Sequence, residues 1–254
     1  LINFSKDHLI LAEKPYTSIQ GEGRFVGIPM TYVRTQGCNV ACDWCDSKYT
    51  WFPYYQTDKV KEITTQYDTV GFEQLNSIIE KELSTHVWFT GGEPMLQDES
   101  IINYLQSFQS NEKKYHICTA GRRYNGKLFD LLDYITVDVK APFSKTESDL
   151  DVIRMIHQTF NKKLELKMVV APIDIDMEYA KYIANQFSDI SLTLQPLYVS
   201  ETELMEDKSL RADHSYWGLQ EFASWVNEWG RHYENVRMGT QLHKIIWPRK
   251  LRMI

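Results

Sequence analysis

The sequence predicts an α/β fold: an incomplete parallel β/α barrel of about six strands, built as a single domain over residues 1–254. Three observations predict it. Short β-rich runs alternate with helix-period runs, which implies βαβ units and a parallel sheet with right-handed crossovers. About six such strands suit a curved, open barrel better than a closed eight-fold one. The least ordinary residues also recur just after successive strands, where parallel α/β folds build their active sites. These are Cys38 after the first strand, Gly91 after the second, Thr119 after the third, Lys140 after the fourth and Gln195 after the last.

The run M-T-Y-V-R-T (30–35) reads as the first strand and stops just before a group of cysteines. Residues 72–83 carry apolar side chains at 72, 75, 78, 79 and 83, the spacing of one helix face. H-V-W-F-T (86–90) is a strand closed by Gly-Gly, and Asp98 is placed to cap a helix over 99–108. Strands at 115–119 and 135–139 flank a short helix near 127–132. A helix at 149–160, a strand at 164–170, a helix at 177–187 and a strand at 190–194 follow. The last helix, 216–229, has apolar residues at 219, 222, 223, 225, 226 and 229, a pattern that suits core or a dimer interface. The stretches 46–70 and 197–214 carry no clear element, and residues from about 235 to 254 form a C-terminal extension.

With 43% hydrophobic and 24% charged residues, the chain has the makeup of a soluble protein with apolar material for a large core. No apolar run approaches the roughly 20 residues that cross a bilayer, so no membrane partner is expected. The opening L-I-N-F-S-K-D-H has neither the basic end nor the apolar stretch of a signal peptide. It also lacks an initiator Met, so residue 1 need not be the native start. A net charge of −6 argues against direct nucleic-acid binding. Four cysteines, three of them within eight residues, do not make a secreted disulfide framework. Cytoplasmic thiols held for a metal are the expectation.

Cys38, Cys42 and Cys45 lie in C-N-V-A-C-D-W-C. Close thiolates on one loop can wrap a 4Fe–4S cubane, three of them leaving the fourth iron open to chelate a small molecule. Zinc is the alternative, and a closed zinc site would need Cys118 or a distant His as fourth ligand. The pattern Cys-x3-Cys-x-aromatic-Cys, with Trp44 as the aromatic residue, resembles the radical S-adenosylmethionine (SAM) superfamily, and so does T-G-G-E-P (90–94). In that superfamily the second motif hydrogen-bonds the SAM amino group, which would place Gly92 and Glu93 at the cofactor. The superfamily's partial barrel agrees with the element order.

Three further segments narrow the resemblance: Y-T-S-I-Q-G-E-G (16–23), G-I-P-M-T-Y-V-R-T-Q-G-C (27–38) and Q-L-H-K-I-I-W (241–247). Together with C-D-S-K-Y-T-W (45–51) they resemble the 7-carboxy-7-deazaguanine synthases, from about residue 15 to the C-terminus. That resemblance implies conversion of 6-carboxy-5,6,7,8-tetrahydropterin to 7-carboxy-7-deazaguanine with release of ammonia. In such enzymes an electron from a reductase or flavodoxin-type donor enters the cluster and cleaves SAM. The resulting 5′-deoxyadenosyl radical takes the hydrogen from C6 of the pterin. By motif matching, Ile19, Gln20, Gly21 and Glu22 would read the pterin edge, or else form a simple β-turn. Arg34 and His243 would hold the pterin carboxylate, and Thr90 would face the substrate. Ser47 matches a Mg²⁺ ligand, or caps the turn leaving the cysteines. Thr119, Asp138, Val139, Lys140 and Gln195 fall at SAM contacts, although T-A-G (119–121) and D-V-K (138–140) depart from the common motif. A homodimer is the implied assembly.

Two other functions remain to be weighed. A glycyl-radical activase shares the cysteine loop but acts on a protein; against it stand I-Q-G-E-G, Arg34 and Q-L-H-K, which suit a small polar pocket. A zinc-stabilised binding module is the non-enzymatic reading.

Overall fold

Within each parallel strand successive side chains alternate between two faces, and the sequence loads those faces differently. Val33, Phe89, Ile117, Val137, Leu166 and Leu194 are fully buried on one face. The next residue along each strand is Arg34, Thr90, Cys118, Asp138, Lys167 and Gln195, so a polar row lies on the other. This inequality is what gives the sheet a helix-covered side and a concave, reactive side.

The computed structural model describes residues 6–57, 67–197 and 218–246. The strands are β1 (His8–Leu11), β2 (Tyr16–Ile19), β3 (Pro29–Thr35), β4 (Asp68–Gly71), β5 (His86–Gly91), β6 (Lys114–Thr119), β7 (Tyr134–Asp138), β8 (Leu164–Val170), β9 (Leu192–Pro196) and β10 (Val236–Met238). The helices are α1 (Phe72–Lys81), α2 (Asp98–Phe108), α3 (Gly126–Leu131), α4 (Leu150–Phe160), α5 (Asp174–Gln186), α6 (Leu219–Trp229) and α7 (Leu242–Ile246). The strand order is β10-β9-β8-β7-β6-β5-β3-β1-β4, with β2 also on β3. Strands β3 and β5 to β10 pair in parallel. Strands β1, β2 and β4 pair antiparallel. Because the path ends at β4 and β10, the sheet stays open, and the incomplete parallel β/α barrel is the fold.

All six expected strands are present. The additional ones, β1, β2, β4 and β10, are four residues long or fewer. Runs that short hold too little alternation to be read locally; their neighbours' backbone groups make them strands. The apolar face packs on the helices in one core that includes Leu75, Ile79, Ile101, Leu105, Leu128, Phe129, Ile153, Ile156, Ile183, Phe222 and Trp229. Burial of each such side chain contributes about 1.5–3 kcal/mol. Helix α6 therefore gives its apolar stripe to this core; residues 216–217 of the expected helix lie outside the described residues.

Strand β9 is shifted two residues from its expected 190–194 and α1 ends at Lys81 rather than 83; two further boundaries differ for identifiable physical reasons. Asp98 is the first residue of α2 rather than its cap, because a 3₁₀ turn at Pro94–Gln97 runs straight into the helix. Its buried carboxylate instead accepts from Asn125 at 2.7 Å and pairs with Arg123 at 3.0 Å, tying α2 to the start of α3. Helix α5 begins three residues early, at Asp174, where acidic side chains favour the positive helix end. Asp149, expected as the first residue of a helix over 149–160, is instead the cap of α4, accepting from Asp151 N and Val152 N.

Candidate active site

The cysteine loop leaves β3 under tight backbone control. Gln36 is buried and donates to the carbonyls of Tyr49 and Phe52, folding the chain beyond the loop back onto its start. Gly37 turns at φ +98°, and Ala41 adopts φ +54°, a left-handed conformation uncommon for a residue with a Cβ. Cys38 and Cys42 are buried and pack with Val40 and Ala120, with Cys45 and Trp51 against them. Burial pushes the Cys38 thiol up to about 11 and the Cys45 thiol up to about 12; Cys42 is also raised, with Lys140 opposing.

The loop after β5 is pressed onto this one. Gly92 N donates to Thr35 O at 2.9 Å and Glu93 N to Gly37 O at 2.8 Å. A Cβ on residue 92 would sit 2.0 Å from Gly37 O and 3.1 Å from Cys38 Cβ, so only glycine fits. The buried Glu93 carboxylate accepts from Met95 N, Thr119 Oγ1 and Ala120 N, locking the ends of β5 and β6 together. Burial raises its pKa while those donors oppose the shift. Both Glu93 and Thr119 thus spend side-chain hydrogen bonds within the protein.

The donor set fits an iron–sulfur cubane, which takes one thiolate at each of three irons. Among the described residues no group of three His, Cys, Asp or Glu side chains is arranged for a single metal ion. Cys118 packs with Met30, Tyr32 and Trp88 on the polar side of β6, away from the loop, so no closed four-thiolate zinc site is built. Trp44 stacks on Phe143 with centroids 5.7 Å apart, against Val169, Ala171 and Leu197, an apolar wall beside the loop.

Across the mouth of the barrel runs a buried chain of charges. Lys167 Nζ lies 2.5 Å from Glu22 Oε2 and 3.1 Å from Asp138 Oδ2, and Lys140 Nζ lies 3.1 Å from the same Asp138 oxygen. Gln241 Nε2 donates to the other Glu22 oxygen at 2.9 Å. Val139 is fully buried and points into the helix-side core, its N–H donating to Lys167 O. Gln195 is also fully buried; its amide donates to Thr240 O, and its Oε1 has no partner.

The I-Q-G-E segment forms no β-turn: it continues from β2 into the β2–β3 loop, with Gln20 still bonded to Ile28 and Gly27 and Glu22 extended, and it docks on the C-terminal part of the chain. Gln20 Oε1 accepts from Glu22 N, and Ile19 O accepts from Tyr32 OH. Leu242 N donates to Gly21 O at 2.9 Å, and a Cβ at residue 21 would meet His243 Nδ1 at 2.4 Å. Arg34 lies toward the other end of β3, beyond the Tyr16–Tyr32 pair, held by Glu13 at 2.6 Å through its Nε, with Ser47 Oγ and Tyr16 OH at 3.5 Å from its terminal nitrogens. Ser47 Oγ donates to Asp46 Oδ1 at 2.9 Å, and His243 Nε2 is 3.8 Å from Asp46 Oδ2. Burial alone would raise the Asp46 pKa, but His243, Lys244 and Ser47 hold it well below the carboxylate range.

Thr90 lies at the end of β5 opposite Arg34 in the β3 register. Among the expected residues the structure joins Glu22, Asp138 and Lys140 through Lys167, Glu93 to Thr119, and Arg34 to Ser47. Sequence reasoning missed Glu13, Asp46, Lys167 and Gln241 as members. Lys167 had a signal: L-E-L-K-M-V-V puts two charges on alternate positions of a strand that parallel packing should make apolar on both faces.

A family model described as a 4Fe-4S single cluster domain matches residues 19–164. The chain is 28% identical to the 7-carboxy-7-deazaguanine synthase of Thermoplasma acidophilum over 242 residues, covering 94% of this chain and 97% of that relative. It is 30% identical to the enzyme of the same name from Koribacter versatilis over 236 residues, covering 91% and 94%. The fold is similar to the crystal structure of QueE from Escherichia coli, with TM-score 0.61, 22% identity and coverage of 93% and 95%.

Proposed function

The chain belongs to the 4Fe–4S single-cluster family and, within it, to the 7-carboxy-7-deazaguanine synthases, and from that premise we propose its substrate, its chemistry and the roles of its residues. It converts 6-carboxy-5,6,7,8-tetrahydropterin to 7-carboxy-7-deazaguanine with release of ammonia, in queuosine-type 7-deazapurine biosynthesis. The cluster and SAM would supply the radical chemistry. The protein supplies position, electrostatics and exclusion of water.

Cys38, Cys42 and Cys45 hold the cluster. Gly92, with Trp44 and the Asp138–Lys140 segment, flanks the methionine and adenosine ends of SAM. Arg34 and His243 take the pterin carboxylate, while Glu22 accepts from the ring's N–H edge. Ser47 offers its hydroxyl to Mg²⁺, whose octahedron needs substrate oxygens and water as well. The carrying observation is that opposed charges meet the same C-terminal segment: Gln241 donates to the Glu22 carboxylate, while His243 lies 3.8 Å from Asp46, whose neighbour Ser47, two residues past Cys45, is reached by the Arg34 guanidinium. That polarity suits a small molecule with N–H donors at one end and a carboxylate at the other, and it favours a pterin over the protein substrate of a glycyl-radical activase.

Electrons come from a flavodoxin-type donor or reductase, and the working form is a cytoplasmic homodimer. Among the described residues no helix is long and apolar enough to cross a membrane. Anaerobic incubation of reconstituted enzyme with SAM, dithionite and carboxytetrahydropterin is the test. Release of 7-carboxy-7-deazaguanine and ammonia is expected; cleavage of SAM without a pterin-derived product would sink the assignment.

A further inference from the structure

Lys167 is the most buried member of the Glu22–Lys167–Asp138–Lys140 chain, with 6% of its side chain exposed. Its ammonium joins two carboxylates from separate parts of the chain: Glu22, in the loop after β2, and Asp138, at the end of β7. Glu22 has only two side-chain anchors among the described residues, Lys167 at 2.5 Å and Gln241 at 2.9 Å. Gln241 comes from the short segment before α7, whereas Lys167 comes from β8 in the middle of the sheet. The rigid anchor is therefore the lysine.

We propose that Lys167 is a positioning residue for substrate recognition, fixing the Glu22 carboxylate in the place and orientation from which it reads the N–H edge of the bound heterocycle. The proposal rests on the reading that Glu22 contacts the pterin. A carboxylate on a loop would otherwise sample several rotamers and pay to be ordered when the ring arrives. One already clamped by a sheet residue binds without that cost. Burial raises the Glu22 pKa, but Lys167, His243 and Gln241 outweigh it and hold the carboxyl at about 2. The other groups near it are Asp138 at the end of β7, which shares the Lys167 ammonium, Cys118 from β6 and Tyr32 from β3. Of these neighbours, Lys167 alone pairs directly with the carboxylate.

The test compares KM and kcat for carboxytetrahydropterin in reconstituted wild type, Lys167→Met, Lys167→Arg, Glu22→Gln and the Lys167→Met/Glu22→Gln double variant, each with iron measured per chain. Lys167→Met is expected to raise KM about 10–100-fold, the loss of one charged hydrogen bond's ordering. Its iron content should stay at the wild-type level, and its kcat should fall far less than its KM rises. Lys167→Arg, which keeps the charge, should recover most of that loss. In the Glu22→Gln background Lys167→Met should add little, because the group it positions is gone. Penalties that multiply in the double variant, or a wild-type KM in Lys167→Met, would overturn the proposal. Should Lys167→Met fail to hold iron, Lys167→Arg decides: a KM as high as that of Glu22→Gln overturns it, and near-wild-type binding supports it. Wild type that does not turn over the pterin at all would instead sink the substrate assignment.

Discussion

Glu13 grips Arg34 by the guanidinium Nε at 2.6 Å, while the terminal nitrogens reach Ser47 Oγ and Tyr16 OH at 3.5 Å. Tyr49 OH donates to the same Glu13 oxygen at 3.2 Å, so the acid is itself held. An arginine clamped by its Nε keeps its two terminal nitrogens on long hydrogen bonds only, a two-pronged edge of the kind that suits a carboxylate.

Arg34→Ala and His243→Ala should keep the cluster and still bind SAM, but lose most pterin turnover. Charged hydrogen bonds are worth about 1.5–3 kcal/mol, so each loss should cost roughly one to two orders of magnitude in kcat/KM. A pterin lacking the carboxylate should be penalised less in these variants than in wild type, because both changes remove one interaction. Penalties that simply add in this two-by-two cycle would show that neither residue holds the carboxylate.

Replacement of Cys38, Cys42 or Cys45 by Ala should abolish cluster-dependent SAM cleavage. Cys118→Ala should retain full iron and sulfide, since Cys118 packs with Met30, Tyr32 and Trp88 rather than with the loop. Iron and sulfide assays on anaerobically purified protein decide the matter. Loss of cluster in Cys118→Ala alone would refute the ligand assignment.

Gly92→Ala should displace the cysteine loop, because its Cβ would overlap Gly37 O at 2.0 Å. Iron per chain is expected to fall sharply. Gly71→Ala is the control: nothing lies within 4 Å of a Cβ there, and iron content and melting temperature should match wild type closely. Equal iron retention in the two variants would contradict the close-approach argument.

Added Mg²⁺ should raise turnover, and Ser47→Ala should weaken that response without loss of cluster. The measurement is a Mg²⁺ titration of activity in both proteins after thorough chelation. Full activity of chelated wild type would remove the metal from the site.

Glu22 gives stability a pH dependence of definite sign. Its folded-state pKa is depressed from the ordinary 4.5 to about 2, so its contribution is complete above 4.5 and drains away as pH falls toward 2. Urea midpoints of wild type and Glu22→Gln, followed from pH 7 to pH 3, should therefore converge as the pH drops. The wild-type advantage lost should be on the order of 2 kcal/mol. A constant gap across that range would mean that Glu22 is not ionically paired in solution.

The sequence by itself determined the parallel α/β architecture, because its six main strands are long enough to show their character and its helices repeat an apolar stripe. It also determined the thiol loop and its chemistry, because three cysteines within eight residues form a local pattern that needs no folding to be recognised. The Gly-Gly after β5 was legible as a motif, but that Gly92 must lack a Cβ because Gly37 lies against it was settled by contact between loops 55 residues apart. Strands β1, β2, β4 and β10 exist only through their partners, since three or four residues cannot specify a strand alone. The pairings of Glu13 with Arg34 and of Lys167 with Glu22 span 21 and 145 residues. Nothing local announces such pairs. Strand parity puts Lys167 on the polar face, but only the curvature of the sheet brings its ammonium, the β2–β3 loop and the segment before α7 to one point.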